Sequence, residues 1–300
     1  MSGHVFRGVL VPVLTPFRPD LSPDVDAFVT HCRWLLNRGA HGLAVFGTTS
    51  EANSIGLEER MALLEHLIDS GISPSVLMPG TGTSALTDTV RLTAHAVEHG
   101  CAGVLVLPPF YYKAIDDDGL FASYSEIIQR VGSDSLQVYL YHIPPISQVH
   151  LSLKLIGRLL SAYENTIVGL KDSSGDWSNT ETVLREYPTL ATFCGSEVFL
   201  LETLRKGGAG SITATANVNV AEIRKTFERW QEGNANKLQK EINSVRKVFE
   251  KYPLIPSLKA ITAEFYNSSD WCRVRPPLRA LSVTDTEGLI KSLTNLGFKM

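Results

Sequence analysis

The sequence predicts an α/β fold, a (β/α)8 barrel of the TIM type with a helical C-terminal extension, and three observations predict it. Short apolar runs bounded by turn residues recur along the chain, each followed by a segment with helical spacing, the pattern of repeated strand-helix units. Most of these runs are apolar throughout, as strands covered on both faces are. The first run leads into Pro16, Phe17, Arg18, Pro19 and Asp20 instead of the G-x-G-x-x-G of a dinucleotide-binding sheet, which favours a barrel over an open doubly wound sheet.

The first strand is expected over residues 8–14, and the amphipathic segment 23–38 follows it, with Ser22 as its cap and Pro23 at the first helical position. Residues 42–46 and 57–70 make the second unit, 75–79 and 85–99 the third, and 103–107 and 117–130 the fourth. Runs 136–141, 167–171, 191–194 and 210–213 complete eight strands, with helical segments at 151–163, 177–186, 198–206 and 220–233. Only helical patterns remain at 235–251, 256–265 and 284–296, so the barrel is placed at residues 1–231 and a helical region at 232–300.

A chain of 300 residues with 44% hydrophobic content can bury one large core. The formal charge of −3, from 28 basic and 31 acidic residues spread along the chain, gives no reason to expect a nucleic-acid or membrane partner. Met1 to Gly8 has no basic-then-apolar signal pattern, and no run approaches the roughly 18 to 20 apolar residues of a membrane span, so a cytoplasmic protein is expected. Cys32, Cys101, Cys194 and Cys272 form no CxxC pair, and neither a disulfide nor a cysteine zinc site is expected.

A barrel of this kind builds its active site at the C-terminal ends of its strands. After the second run, Gly47-Thr48-Thr49-Ser50-Glu51 sets three hydroxyls on a small-residue turn, which reads as a carboxylate pocket or as a helix cap. After the fourth, Pro108-Pro109-Phe110-Tyr111-Tyr112-Lys113 leaves aromatic side chains in a loop, for packing, subunit contact or catalysis. The fifth run ends in Tyr139-Leu140-Tyr141-His142-Ile143-Pro144-Pro145; alternation puts Tyr139 and Tyr141 on one face, and Tyr141 lies near the mouth as a proton donor or a buried structural tyrosine.

The sixth run, Ile167-Val168-Gly169-Leu170, leads directly into Lys171, a costly place for a cation that is neither paired nor functional. Pairing with Asp172 is one reading. The other is an amine that attacks a ketone to give an iminium, which withdraws electrons and lets a C–C bond form or break. Tyr141 leaves the neighbouring strand on the same rim and could relay a proton to the carbinolamine at Lys171.

Gly47-Thr48-Thr49-Ser50-Glu51, Pro109-Phe110-Tyr111-Tyr112, Tyr141-His142-Ile143-Pro144 and Gly169-Leu170-Lys171-Asp172 together resemble the dihydrodipicolinate synthase/N-acetylneuraminate lyase family, in order and over nearly the whole chain. Pro12 to Phe17 and Thr215-Ala216-Asn217-Val218 are similar to further segments of that family. The resemblance implies a pyruvate-dependent class I aldolase with a helical C-terminal region, assembled as a homotetramer of two tight dimers. It implies that Lys171 forms the Schiff base, Tyr141 transfers protons, and Thr48 connects Tyr141 to Tyr111 of a neighbouring subunit. Thr49, with Ser50 beside it, is implied for the pyruvate carboxylate, and the backbone at Gly195 and Ile212 for the rest of the 2-oxo acid.

Ile146 departs from the pattern, standing where synthases of that family carry an arginine for an aldehyde carboxylate. Losing a bidentate guanidinium argues against condensation with aspartate semialdehyde. Glu197-Val198 and Ala214 only partly match the polyol contacts of sialic acid lyases. Cleavage of a 2-keto-3-deoxy sugar acid or a 4-hydroxy-2-oxo acid to pyruvate and an aldehyde is therefore expected. The alternatives are dihydrodipicolinate synthesis, keto-deoxy-glucarate dehydration, or a binding-only sensor of 2-oxo acids.

His95 and His99 stand four apart on a predicted helix, as metal ligands can, but Ala96-Val97-Glu98 between them is not the HExxH order. Gly80-Thr81-Gly82-Thr83-Ser84 could hold a phosphate or make a tight barrel turn. No G-x-S-x-G elbow or P-loop occurs, and no metal or other cofactor is expected.

Overall fold

The computed structural model describes residues 5–300; the reading of Met1 to Gly8 as free of a signal pattern lies partly outside them. The chain runs β1 (Gly8–Val11), α1 (Val25–Asn37), β2 (Gly42–Leu43), α2 (Leu57–Asp69), α3 (Leu86–Glu98), β3 (Val104–Val106) and α4 (Asp117–Val131). It continues through β4 (Val138–His142), α5 (Pro144–Ser147), α6 (Leu153–Ala162), β5 (Ile167–Asp172), α7 (Trp177–Glu186), β6 (Ala191–Cys194), α8 (Leu200–Arg205), β7 (Gly210–Ile212) and α9 (Ala216–Glu228). Helices α10 (Ala235–Phe249), α11 (Leu254–Tyr266) and α12 (Val283–Asn295) follow.

The strands pair in parallel in the order β2-β1-β7-β6-β5-β4-β3, as expected of a (β/α)8 barrel. The third expected strand, 75–79, is the exception. Its first residues belong to a one-turn 3-10 helix, Pro74–Val76, and Pro79 has no N–H to give a ladder. The chain beyond that turn still closes the ring through single bridges, Leu43 to Leu77 on one side and Gly80 to Leu105 on the other. The Met78 and Gly80 amides donate to Leu43 and Val45, at 2.9 and 2.7 Å, and the Thr81 amide to Leu105, at 3.1 Å. The Gly80–Ser84 motif is thus a barrel-closing turn.

Capping of the first helix also differs from expectation. Ser22 donates its hydroxyl to Asp20 at 2.6 Å, Pro23 sits in an isolated bridge to Phe17, and Asp24 takes the cap, accepting from the Ala27 amide at 3.1 Å. A carboxylate at that position satisfies an orphan amide and complements the helix dipole.

Phe6, Leu10, Met78, Leu105, Tyr139, Phe193 and Ile212 fill the barrel interior. The Tyr139 oxygen accepts from the Phe6 amide at 2.8 Å, and its ring occupies space that a Cβ on Gly169 would take. A second shell of aliphatic side chains lies between strands and helices, where most of the core is buried. Residues of α10, α11 and α12 pack in a separate cluster with Leu14, Ala214 and Val218 at the mouth side of the barrel. All four cysteines are free thiols. Among the described residues no helix is long and apolar enough to cross a membrane.

Candidate active site

Parallel pairing of β4 with β5 sets Tyr141 directly beside Lys171, as the common rim position of the two runs requires. The Lys171 ammonium nitrogen lies 4.2 Å from the centroid of the Tyr141 ring, and both residues are buried. Among the described residues no acid pairs with Lys171. Asp172, the alternative partner, points to the other face of the strand. Its carboxylate accepts from the Ser174 amide at 2.9 Å, the Asn179 side-chain amide at 2.9 Å and the Thr180 hydroxyl at 2.7 Å. The structure therefore separates the amine from its sequence neighbour and gives it an aromatic face instead of a counter-ion.

The turn after β2 supplies the next group. The hydroxyls of Thr48 and Tyr141 are 3.2 Å apart, so the phenol already has one partner through which a proton can pass. Thr49 is buried beside it. Ser50 faces its own turn: its hydroxyl accepts from the Gly47 amide at 3.2 Å, and its carbonyl accepts from the Thr15 hydroxyl at 2.9 Å. That bond helps to shape the turn and leaves the hydroxyl its own proton to donate.

Gly195 and Ile212 lie at the ends of β6 and β7. The Gly195 amide donates to the Asp172 carbonyl at 2.6 Å, and Ile212 is fully buried inside the barrel. A Cβ at Gly195 would collide with the Ser173 hydroxyl, the Ser173 Cα and the Asp172 carbonyl, so only glycine lets the two strand ends approach this closely. That contact exposes a residue the sequence reading passed over. Ser173 stands two residues beyond Lys171, a spacing that β alternation could have flagged, and its hydroxyl is at the mouth.

Tyr111 is not joined to the others within one chain. It is 74% exposed, stacked edge to face on Tyr112 at 5.4 Å between centroids, and makes no hydrogen bond with Thr48. Ile146, on the short helix α5, is 61% exposed. Lys113, the nearest cation on the preceding loop, is occupied with the carbonyls of Phe110 and Ser147. Glu197 cannot serve a polyol either: it is fully buried, accepts from the hydroxyls of Thr213 and Thr215, and lies 3.6 Å from Arg246.

Behind the Thr48 turn lies a set of charges that no local motif announces. Glu51 adopts a left-handed conformation with φ 59°, and its buried carboxylate pairs with Lys259 of α11 and accepts from the Arg275 amide at 2.9 Å. Lys259 also donates to the Arg273 carbonyl at 2.6 Å and lies 4.4 Å from the centre of the Phe17 ring. Arg275 reaches Glu59 and the carbonyls of Leu21 and Ser54. Burial lowers the Lys259 amine to about 8 against the pull of Glu51.

A family model described as the dihydrodipicolinate synthetase family matches residues 5–295. A Chloroflexus aurantiacus protein described as an uncharacterized DapA-like lyase is 35% identical over 256 residues, 85% of this chain and 85% of that protein. Dihydrodipicolinate synthase from Agrobacterium tumefaciens superposes with a TM-score of 0.90 at 33% identity, over 96% of this chain and 99% of that one. A variant of Sulfolobus solfataricus 2-keto-3-deoxygluconate aldolase shares the fold with a TM-score of 0.86 at 21% identity, over 97% and 96% of the two chains.

Proposed function

The chain belongs to the dihydrodipicolinate synthetase family, is a Schiff-base lyase on a TIM barrel, and on that premise we propose that it cleaves a 2-keto-3-deoxy sugar acid or a 4-hydroxy-2-oxo acid. The observation that supports the chemistry most strongly is a buried Lys171 amine with no acidic partner among the described residues, set on Tyr141, whose hydroxyl meets Thr48.

In this reading the Lys171 nitrogen adds to the C2 ketone, and Tyr141 delivers the proton with which the carbinolamine oxygen leaves as water. The C4 hydroxyl gives up its proton, the C3–C4 bond breaks, and its electron pair moves into the iminium to form an enamine while the aldehyde departs. Protonation at C3 and addition of water then release pyruvate and restore the amine. Tyr141 and Thr48 move the protons; Thr49, Ser50 and the backbone at Gly195 and Ile212 hold the 2-oxo acid. No separate cofactor enters these steps.

The mouth favours a substrate whose aldehyde portion is hydroxylated and carries no second carboxylate. Ile146 offers no hydrogen bond, Lys113 is tied to carbonyls, and the Ser173 hydroxyl is available to a sugar-derived chain. The synthase reading, pyruvate with aspartate semialdehyde, draws support from the name of the Agrobacterium tumefaciens relative and lacks a carboxylate clamp here. Comparing kcat/KM for retro-aldol cleavage of 2-keto-3-deoxygluconate with that for condensation of pyruvate and aspartate semialdehyde decides between them. The proposal requires cleavage to be the faster.

Tyr111, Tyr112 and Ile146 leave apolar area exposed around the mouth. A second copy of the chain, in a homotetramer, would cover it and bring its Tyr111 to Thr48. Residues 232–300 then act as a helical brace on the barrel of residues 1–231.

A further inference from the structure

We propose that Glu65 of α2 with His95 of α3 and His99, which caps the C-terminus of α3, forms a divalent-cation site of zinc type on the outside of the barrel. One ligand atom from each of the three lies within 4.8 Å of the others. His95 and His99 are four residues apart, one in the last turn of α3 and one at its C-cap, and their rings lie 4.2 Å between centroids. Two imidazoles and one carboxylate, with water in the remaining position, are a tetrahedral zinc set.

The hydrogen bonds prepare the ligands. His99 Nδ1 donates to the His95 carbonyl at 2.9 Å, which leaves the lone pair of the neutral ring on Nε2; a backbone bond of this kind is what orients a metal-bound histidine. His95 is buried, and its Nε2 meets a Glu65 oxygen at 2.8 Å. A cation would displace the proton those two atoms share.

Residue order alone hides this site because the carboxylate comes from another helix, 30 residues before His95. None of the three bonds to the Lys171 mouth, so the ion would join α2 to α3 without entering the reaction. Such a site stabilises the fold through linkage.

Zinc sulfate titrated calorimetrically into metal-free full-length protein tests it, with cobalt absorption as a report on tetrahedral geometry. One ion per chain at about micromolar Kd is expected, weakened at least ~10-fold in His99→Ala and in Glu65→Gln, and unchanged in His150→Ala, since His150 is exposed and stands outside the three-residue cluster. Zinc should also raise the unfolding midpoint of the parent and not of the two ligand variants. Absence of one-to-one binding, or equal affinity in parent, His99→Ala and Glu65→Gln, overturns the assignment.

Discussion

Lys259 and Glu51 form an ion pair in which both side chains are fully buried, and it joins α11 to the turn that carries Thr48 and Thr49. The C-terminal helices are therefore coupled to the mouth by charge as well as by apolar packing. Removing one partner leaves the other charge buried without compensation. Lys259→Met should cost about 3 to 5 kcal/mol in urea unfolding, and Glu51→Gln combined with it should recover part of that loss. Equal losses in the single and double variants would show that the pair does not act as a unit.

Tyr141→Phe keeps the ring beside Lys171 and removes only the hydroxyl that meets Thr48. Steady-state kinetics should show kcat lower by roughly 10² to 10⁴-fold, the range for general acid-base groups, with unfolding stability nearly unchanged. A variant with full kcat would show that the phenol carries no proton.

Ile146→Arg places a guanidinium at an exposed position on the rim. A charge-assisted bond of about 1.5 to 3 kcal/mol corresponds to roughly 10-fold or more in kcat/KM for an aldehyde bearing a carboxylate, such as aspartate semialdehyde. Turnover of neutral sugar-derived aldehydes should change little. No gain for the charged aldehyde would place the specificity determinant elsewhere.

His31 is fully buried on α1, with Asn217 at 3.3 Å and Tyr266 at 3.2 Å, and burial lowers it from 6.5 to about 4. Between those values the unfolded chain binds the proton and the folded chain does not, so stability falls as pH drops through the window. The loss amounts to about 3 kcal/mol when complete. Urea midpoints measured from pH 7 to pH 4 should fall more steeply in the parent than in His31→Gln.

The barrel was legible because continuous apolar runs and 3.6-period segments report burial directly, and Lys171 and Tyr141 stood out as polar groups at the ends of such runs. The third run misled because an apolar composition does not reveal a 3-10 turn between Pro74 and Pro79. Ser22 and Pro23 looked like a helix start, and the competing Asp20 and Asp24 carboxylates decided otherwise. The bond from Arg275 to Glu51 spans 224 positions, and nothing local encodes a pairing at that range. Glu65 with His95 was invisible for the same reason.

The most direct measurement is borohydride reduction with and without pyruvate, followed by intact mass and peptide mapping. The account predicts a pyruvate-dependent adduct on the peptide containing Lys171, absent in Lys171→Ala. Folded protein that gives no adduct, or an adduct mapped to another lysine, would contradict the Schiff-base assignment and leave a barrel that binds 2-oxo acids without turning them over.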